Sequence, residues 1–326
     1  MFQLIQKTFD RLINGEPVDR ETARQLVLCQ DQQTLASLAD EIRRHFMGDQ
    51  FHLCSIINGR SGNCTENCRF CAQSARYQTG VETYEIIDPV LAMTIARDND
   101  NHGVDRLSLV TSGHSVDQET LKQLEELYKQ IEQKTDMECC ASMGFLDRDR
   151  AERLTDMGVS RYHCNLEANK KYFPQVCSSH TWQQKVDTLE IARTAGMSLC
   201  SGGIIGMGES MNDRIDLALE LRQLGIKSIP INILTPITGT PLAELQPLPL
   251  QEVLTTIAVF RFINPDAVIR MAGGRQQLGD EQYRCFAAGA NGAIVGNYLT
   301  TTGSSIAHDL EQFQGMGFTF KRAGQG

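Results

Sequence analysis

The chain has 326 residues, 41% of them hydrophobic and 22% charged, which is the composition of a globular protein with a sizeable core. Its formal net charge of −9 argues against non-specific binding to nucleic acid or to an anionic membrane surface, so we expect a small-molecule partner. No apolar run reaches the roughly 18 residues of a membrane helix, we expect no signal peptide, and eleven cysteines then indicate a reducing cytoplasm.

The first 47 residues carry the pattern of amphipathic helices. Apolar residues recur at helical spacing on both sides of a break at residues 14–17. The first stripe consists of Leu4, Phe9, Leu12 and Ile13, and the second of Leu26, Leu28, Leu35, Leu38 and Ile42. We expect residues 1–50 to form a helical extension that precedes the main domain.

From about residue 51 onward, short β-like runs alternate with amphipathic helices. The predicted strands cover residues 51–58, 106–110, 138–142, 160–166, 198–205, 228–234, 268–272 and 293–296. The predicted helices cover residues 89–99, 118–134, 147–157, 180–195, 210–224, 249–263, 279–288 and 304–315. This alternation predicts the α/β class and a (β/α)8 TIM-type barrel over residues 51–316, with a C-terminal tail at 317–326. In such barrels the chemistry lies at the carboxyl ends of the strands.

Cys64, Cys68 and Cys71 follow the first predicted strand, with three and then two residues between them. Three thiolates at this spacing can hold one iron–sulfur cube and leave its fourth iron without a protein ligand. Structural cysteines or half of a zinc site are the alternatives, but a zinc site usually has a second Cys or His pair nearby. The spacing, with Phe70 before the last cysteine, resembles the signature of the radical S-adenosylmethionine (SAM) enzymes. The resemblance implies a 4Fe-4S cluster whose open iron binds the amino and carboxylate groups of SAM.

Two later strand ends carry candidate SAM contacts. The fifth strand ends in a glycine-rich stretch with Gly202, Ile204 and Gly206, which is either a plain turn or a close backbone approach to a ligand. Its GxIxGxxE pattern resembles the adenine-side contact of radical SAM barrels. Glu167, at the end of the fourth strand, is either a solvated charge or a ligand of two ribose hydroxyls.

Alternation along the strands points Cys140, Cys200 and Arg270 toward the barrel interior. Buried cysteines are usually packing residues, but a buried arginine needs a partner. A second metal cluster would supply that partner.

Further segments of the chain resemble the biotin synthase family of radical SAM enzymes, over about residues 51–302. These segments lie at residues 72–77, 163–167, 186–190, 200–206, 230–234, 239–242, 270–275 and 288–291. The resemblance implies an enzyme that inserts sulfur into dethiobiotin to form biotin, with an auxiliary iron–sulfur cluster that gives up the sulfur. A homodimer and an electron donor such as flavodoxin or ferredoxin are implied in the same way.

The resemblance also implies roles for single residues. Phe70 would lie beside the adenine of SAM, and Glu167 would bind its ribose. The implied substrate contacts are Asn165 and Asn232 at the ureido ring, and Thr301 and Thr302 near the carboxylate tail.

The auxiliary cluster is where the chain departs from the family pattern. The family binds this cluster with three cysteines and an arginine, of which Cys140, Cys200 and Arg270 match three, while Ser108 stands at the position of the remaining cysteine. A soft thiolate suits iron better than a hydroxyl, so we hypothesise an altered cluster with Cys164 as a candidate ligand. The cysteines left over are interpreted as structural: Cys29, Cys54, Cys177 and Cys285.

Two other functions stay open from the sequence alone. Ser108 leaves room for a related radical SAM enzyme that performs a rearrangement or matures a metal cofactor without donating sulfur. The other is a non-catalytic iron–sulfur or zinc protein, against which the GxIxGxxE stretch argues.

Overall fold

Parallel strands that close on themselves form the body of this protein, whose computed structural model describes residues 2–296 and 305–320. The strands are β1 (Gln50–Arg60), β2 (Arg106–Thr111), β3 (Glu138–Ser142), β4 (Val159–His163), β5 (Ser198–Cys200), β6 (Gly203–Ile205), β7 (Ser228–Ile233), β8 (Val268–Met271) and β9 (Gly292–Ile294). Both β5 and β6 pair with β7 and act as two halves of one barrel strand, and β9 pairs with β1 to close the ring. The predicted (β/α)8 barrel is confirmed.

Helices follow the strands and cover the outside of the barrel. They are α4 (Pro89–Asn101), α5 (Gln118–Lys134), α6 (Arg148–Asp156), α7 (Trp182–Thr194), α8 (Met211–Gln223), α9 (Leu250–Ile263) and α10 (Ile306–Gly315). Side chains at their N-caps explain several starts, since Asp117, Thr181 and Ser210 each accept a hydrogen bond from a backbone amide of the first turn. The predicted helix positions are therefore confirmed within a few residues for these elements.

The N-terminal extension contains three helices, α1 (Phe2–Ile13), α2 (Arg20–Val27) and α3 (Gln32–Met47). The sequence pattern placed Leu28 in the second apolar stripe, with Leu26 and Leu35. This prediction was wrong, because Leu28 is 77% exposed. Asp31 caps α3 by accepting a hydrogen bond from the backbone of Thr34, so the chain breaks between α2 and α3. Leu26 and Leu35, on either side of the break, are buried as expected.

The helix predicted at residues 279–288 differs in type from what the structure contains. Arg275–Ala288 forms a 3-10 helical stretch that is interrupted at Gly279, where φ is +54°. A left-handed residue inside a helix breaks its hydrogen-bond ladder, and glycine adopts that conformation with little strain. The apolar spacing of this stretch therefore located the element but did not reveal its geometry.

Alternation along β1 separates the barrel lumen from the helical shell. Leu53 and Ile57 are buried against the shell, while Cys54 and Ile56 face the lumen. Because side chains alternate along a strand, one strand contributes both to the core and to the interior of the barrel. The same rule sets which residues of each strand can meet a ligand.

A cluster of aromatic side chains packs between the start of β1 and the helical shell. The ring of Phe51 lies 5.2 Å from that of Phe286, 4.1 Å from that of Phe313 and 4.9 Å from that of Phe318. A short strand, β10 (Thr319–Phe320), pairs with the start of β1. The predicted tail therefore includes a segment that is paired with the barrel, and residues 321–326 lie outside the described residues. Within the described ranges, no helix is long and apolar enough to cross a membrane.

Candidate active site

A cavity of about 430 Å³ runs from the carboxyl ends of the strands down into the lumen. Most of the side chains singled out from the sequence line it. At its mouth and walls these are Cys64, Cys68, Phe70, Cys71, Cys164, Asn165, Glu167, Ile204 and Asn232, and deeper in the lumen Ser108, Cys140, Cys200 and Arg270. Thr301 and Thr302 lie outside the described residues.

The cysteine loop after β1 is folded tightly onto itself. The backbone amide of Cys71 donates to the carbonyl of Cys68 at 3.0 Å, and the amide of Ala75 donates to the carbonyl of Cys64 at 2.8 Å. The charged groups nearest the thiol of Cys71 include Cys64 and Glu167. The loop therefore holds its thiols at the mouth of the cavity, facing the end of β4.

Glu66 ties this loop to two others. Its carboxylate accepts hydrogen bonds from the ring of His114 at 2.7 Å, the ring of His180 at 2.5 Å and the hydroxyl of Ser179. Burial alone would raise the pKa of Glu66, but the bonds from His180, Ser179 and His114 lower it to about 2. The carboxylate is therefore ionised at neutral pH and positions the cysteine loop.

Cys177 is an unassigned thiol beside this loop. Its sulfur lies 3.7 Å from that of Cys68 and 3.3 Å from a ring nitrogen of His180. The hydrogen bond with Cys68 is the main cause that lowers the pKa of Cys177, to about 3, with His180 adding to it. Cys68, Cys177 and His180 have ligand atoms within 4.8 Å of one another, so a metal ion could be held there. Cys177 was interpreted as structural from the sequence, in which 109 positions separate it from Cys68.

Phe70 joins a small apolar cluster at the mouth. It packs with Val176, Met207 and Leu234, which are buried. This cluster gives one wall of the cavity a flat apolar surface next to the cysteine loop, suited to an aromatic ring such as a nucleobase.

Glu167 stands at the junction between the mouth and the lumen. Its backbone has a positive φ of 67°, which is uncommon for a residue other than glycine. Its Oε2 atom is buried without a hydrogen-bond partner, while a bond from Asn165 reaches its carboxylate. Burial raises the pKa of Glu167, and the nearby ammonium of Lys185 opposes that rise. An unpartnered buried oxygen in a strained backbone is typical of a binding residue.

Lys185, which was not predicted from the sequence, is a buried cation that lines the same cavity. Burial alone would lower its pKa, but Cys164 and Glu167 raise it. Lys185 lies on α7, which packs behind β4, and no motif marks it in the sequence.

The glycine-rich stretch has a clear packing role. A Cβ atom on Gly202 would lie 1.9 Å from the carbonyl oxygen of Pro230, and one on Gly203 would lie 2.5 Å from that of Glu167. Ile204 lines the cavity. Gly206, at φ +96°, donates its amide to the carboxylate of Glu209 at 2.8 Å.

The two predicted substrate asparagines already bind backbone groups. The Oδ1 atom of Asn165 accepts from the amide of Gly202 at 3.0 Å. The side chain of Asn232 accepts from the amide of Gly273 at 2.9 Å and donates to the carbonyl of Gly203 at 3.2 Å. Both amides therefore have fixed orientations on the cavity wall.

The lumen brings together Cys140, Cys200, Arg270 and Ser108. Cys200 lies 3.3 Å from a ring nitrogen of His163, and Arg270 donates to the hydroxyl of Ser228 at 2.8 Å. Ser108 pairs with Cys140 across β2 and β3. The hydroxyl of Ser108 and the Nε atom of Arg270 are buried without partners.

The surroundings of Cys200 favour the ionised form of its thiol. Burial would raise its pKa, but His163, Arg270 and Arg161 together lower it to about 6. A thiolate is the form that binds iron, so this lumen favours a metal ligand at Cys200.

The remaining cysteines of the cavity differ in their surroundings. Burial raises the pKa of both thiols, and the charges that also act on them are Lys185 and Glu167 for Cys164, but Arg270, Cys140, Cys200 and Arg161 for Cys54. Cys54 was interpreted as structural from the sequence. The alternation of β1 carried the signal that could have found it, because Leu53 faces the shell and the next residue must then face the lumen.

Two family descriptions match the chain. "Radical SAM superfamily" matches residues 60–221, and "Biotin and Thiamin Synthesis associated domain" matches residues 230–319. A biotin synthase from Desulfotalea psychrophila is 50% identical over 289 residues, covering 89% of this chain and 86% of that protein. A biotin synthase from Porphyromonas gingivalis is 46% identical over 316 residues, covering 97% of this chain and 96% of that protein.

Solved structures share the fold at low sequence identity. A methylornithine synthase superposes with a TM-score of 0.83 at 19% identity and covers 97% of both chains. An FeFe-hydrogenase maturase from Carboxydothermus hydrogenoformans superposes with a TM-score of 0.80 at 18% identity, covering 98% of this chain and 80% of that chain. These structures agree with the barrel architecture of the described residues.

Proposed function

This chain belongs to the biotin synthase family of radical SAM enzymes, and we propose that it inserts sulfur into dethiobiotin to form biotin. When bound, a 4Fe-4S cluster with SAM supplies a 5′-deoxyadenosyl radical, and an auxiliary iron–sulfur cluster supplies the sulfur atom. The chain must therefore hold two clusters and two small molecules in one enclosed space.

The residues present fit both clusters. Cys64, Cys68 and Cys71 offer three thiols from one short loop, which is the ligand set proposed for the 4Fe-4S cluster. Deeper in the lumen, Cys140, Cys200 and Arg270 are the ligands proposed for the auxiliary cluster. Unpartnered buried polar atoms in that region, including the Nε atom of Arg270, support a bound group there.

We propose that SAM binds across the mouth of the cavity. The free Oε2 atom of Glu167 would accept hydrogen bonds from ribose hydroxyls, and Phe70 with Ile204 would pack against the adenine. The buried ammonium of Lys185 is the cation best placed to balance the carboxylate of SAM. Gly202 and Gly206 would act indirectly, by keeping the backbone around Ile204 in place.

Dethiobiotin would occupy the space between the two cluster sites. Asn165 and Asn232 are proposed to bind its ureido ring, with the orientations fixed by their backbone hydrogen bonds. Thr301 and Thr302 are proposed to contact its carboxylate tail. Fixed polar groups position the reacting carbons between the radical source and the sulfur source, and an enclosed lumen keeps water away from the radical.

The observation that carries this proposal is that one cavity is lined by both sets of cysteines. The test is Mössbauer spectroscopy with iron and sulfide counts on anaerobically reconstituted protein, before and after turnover with dethiobiotin and SAM. We expect two clusters, with loss of sulfide from the second as biotin forms. SAM cleavage without biotin would overturn sulfur insertion and favour the alternative, a radical SAM enzyme that does not donate sulfur.

We also propose a homodimer that works in a reducing cytoplasm and receives electrons from a flavodoxin or ferredoxin. The support is family membership, together with eleven cysteines that are all free of disulfide bonds. Sedimentation velocity on the holoenzyme tests the dimer, and a monomer at micromolar concentration would contradict it.

A further inference from the structure

The lumen contains a thiol for which the family resemblance gives no role. Cys54 lies on β1 and lines the same cavity as Cys140, Cys200 and Arg270. We propose that Cys54 supplies the third thiolate of the auxiliary iron–sulfur cluster, in place of the cysteine that Ser108 replaces. This inference rests on the sulfur-insertion function proposed above.

The register of the barrel brings Cys54 close to the position that Ser108 leaves open. Strands β1 and β2 are neighbours, with Ile56 paired to Ser108 and Cys54 paired to Arg106. Cys54 therefore lies one strand over and two residues further down, a step of about 7 Å along a strand. Both side chains face the lumen, so the third ligand moves to the adjacent strand and stays on the same face of the sheet.

The charges around Cys54 also fit a shared cluster site. The groups that act on it most strongly are Arg270, Cys140, Cys200 and Arg161. Cys200 in turn acts on Cys140, and Arg270 acts on Cys200. Three thiolates in an enclosed lumen need compensating positive charge, which these guanidinium groups supply.

The alternative donors are less suitable. Cys164 follows the carboxyl end of β4, next to Asn165 at the mouth of the cavity, and it packs with the hydrophobic core. Cys139 alternates outward from β3 and packs in the core. Ser108 does face the lumen, but a hydroxyl is a poorer ligand for iron than a thiolate. With Cys54 the donor set again contains three thiolates and one arginine.

The test compares Cys54→Ala with Cys164→Ala in the full chain after anaerobic reconstitution. For Cys54→Ala we expect the Mössbauer signal of the auxiliary cluster to be lost, while about four iron atoms per chain remain in the first cluster. For Cys164→Ala we expect both signals to remain. Reductive cleavage of SAM by Cys54→Ala, followed as 5′-deoxyadenosine, would show that the barrel and the first cluster are intact. An unchanged auxiliary signal in Cys54→Ala would overturn the proposal.

A second pair of variants separates a ligand from a packing residue. Ser108→Cys introduced into Cys54→Ala should restore an auxiliary cluster, because it returns a third thiolate to the same lumen. Ser108→Ala, introduced alone into the unmodified protein, should leave the Mössbauer signal of the auxiliary cluster unchanged. If this variant lost that signal, Ser108 would be the ligand. Biotin formation by the parent is measured in parallel. A parent that holds two clusters without making biotin would refute the proposed function and leave the ligand assignment standing.

Discussion

Glu66 illustrates how one side chain organises the mouth of the cavity, because it binds the two loops that face the cysteine loop. We expect Glu66→Gln to destabilise the metal-free protein at pH 7 by about 1–3 kcal/mol, since hydrogen bonds to a buried carboxylate are lost. The folded-state pKa is lowered to about 2 from 4.5, so the stabilisation is complete above pH 4.5 and disappears as the pH falls toward 2. Urea unfolding at several pH values measures this.

The control for this variant is Glu85→Gln, which removes the 72% exposed partner of Arg60. An exposed ion pair contributes little, so its effect should stay below about 1 kcal/mol at every pH. If the two variants were equally stable at pH 7, Glu66 would have no anchoring role.

Cys200 is expected to be the most reactive thiol of the lumen at neutral pH. Its pKa is lowered to about 6, whereas burial raises that of Cys54 to about 12. In metal-free protein, alkylation of Cys200 by iodoacetamide should increase between pH 5 and 7 and then level off, because the thiolate is the reactive form. Peptide mass spectrometry measures the extent of alkylation at each cysteine.

His163→Gln provides the comparison, since His163 contributes most to the lowering of the Cys200 pKa. The midpoint of Cys200 alkylation should then move to higher pH. If the pH profile of Cys200 alkylation were the same in this variant, Arg270 and Arg161 alone would be responsible for ionising the thiol.

Sequence reasoning could place residues that share a local motif or lie on a strand whose alternation shows their direction, such as Cys140, Cys200 and Arg270. Cys64, Cys68 and Cys71 form a local pattern, and the structure keeps them in one loop. Lys185 lines the same cavity and Cys177 contacts Cys68, both from positions more than 100 residues further along the chain. Their proximity results from barrel closure, which no local pattern encodes.

At the scale of elements, the split between β5 and β6 depends on glycine. Gly202→Ala would put a Cβ atom 1.9 Å from the carbonyl oxygen of Pro230, and backbone cannot yield as a flexible side chain can. We expect this variant to lose about 2–4 kcal/mol in urea unfolding, through displacement of the two strands. Gly315→Ala, where a Cβ atom would meet nothing within 4 Å, should change stability little. Equal stability of both variants would refute a packing role for Gly202.

Element type and order could be read from the sequence, but some element geometry could not. Periodicity located the strands and most helices, because burial follows the side-chain repeat of each element. The interruption at Gly279 and the break before α3 depend on single backbone conformations and capping bonds. Cys54 was predictable only in part. The alternation of β1 shows that its side chain faces the lumen, but it does not show which residues it meets there.

At the scale of the whole molecule, one buried ion pair fastens the last helix to the barrel. Arg275 and Asp309 are both 0% exposed and pair with each other, and the hydroxyl of Tyr283 donates to Asp309 at 2.9 Å. Asp309→Ala removes the carboxylate that balances the buried guanidinium charge of Arg275, so we expect a loss of about 3–5 kcal/mol in the free energy of unfolding. Asp266→Ala, which breaks an exposed pair with Lys227, should cost less than about 1 kcal/mol. Similar losses for the two variants would contradict this.

The arginines of the lumen also affect how the protein acquires its metal. Arg161 and Arg270 donate to the neutral hydroxyls of Ser198 and Ser228, and the single Cys200 thiolate cancels only part of their two charges. Before loading, such an interior repels dissolved ferrous ion and attracts sulfide or a preassembled anionic cluster. We therefore expect the auxiliary cluster to form faster when a cluster carrier delivers it than when free iron and sulfide are added. Added salt should reduce the difference between the two rates. The charges that we propose hold the sulfur source would then also select the form in which it arrives.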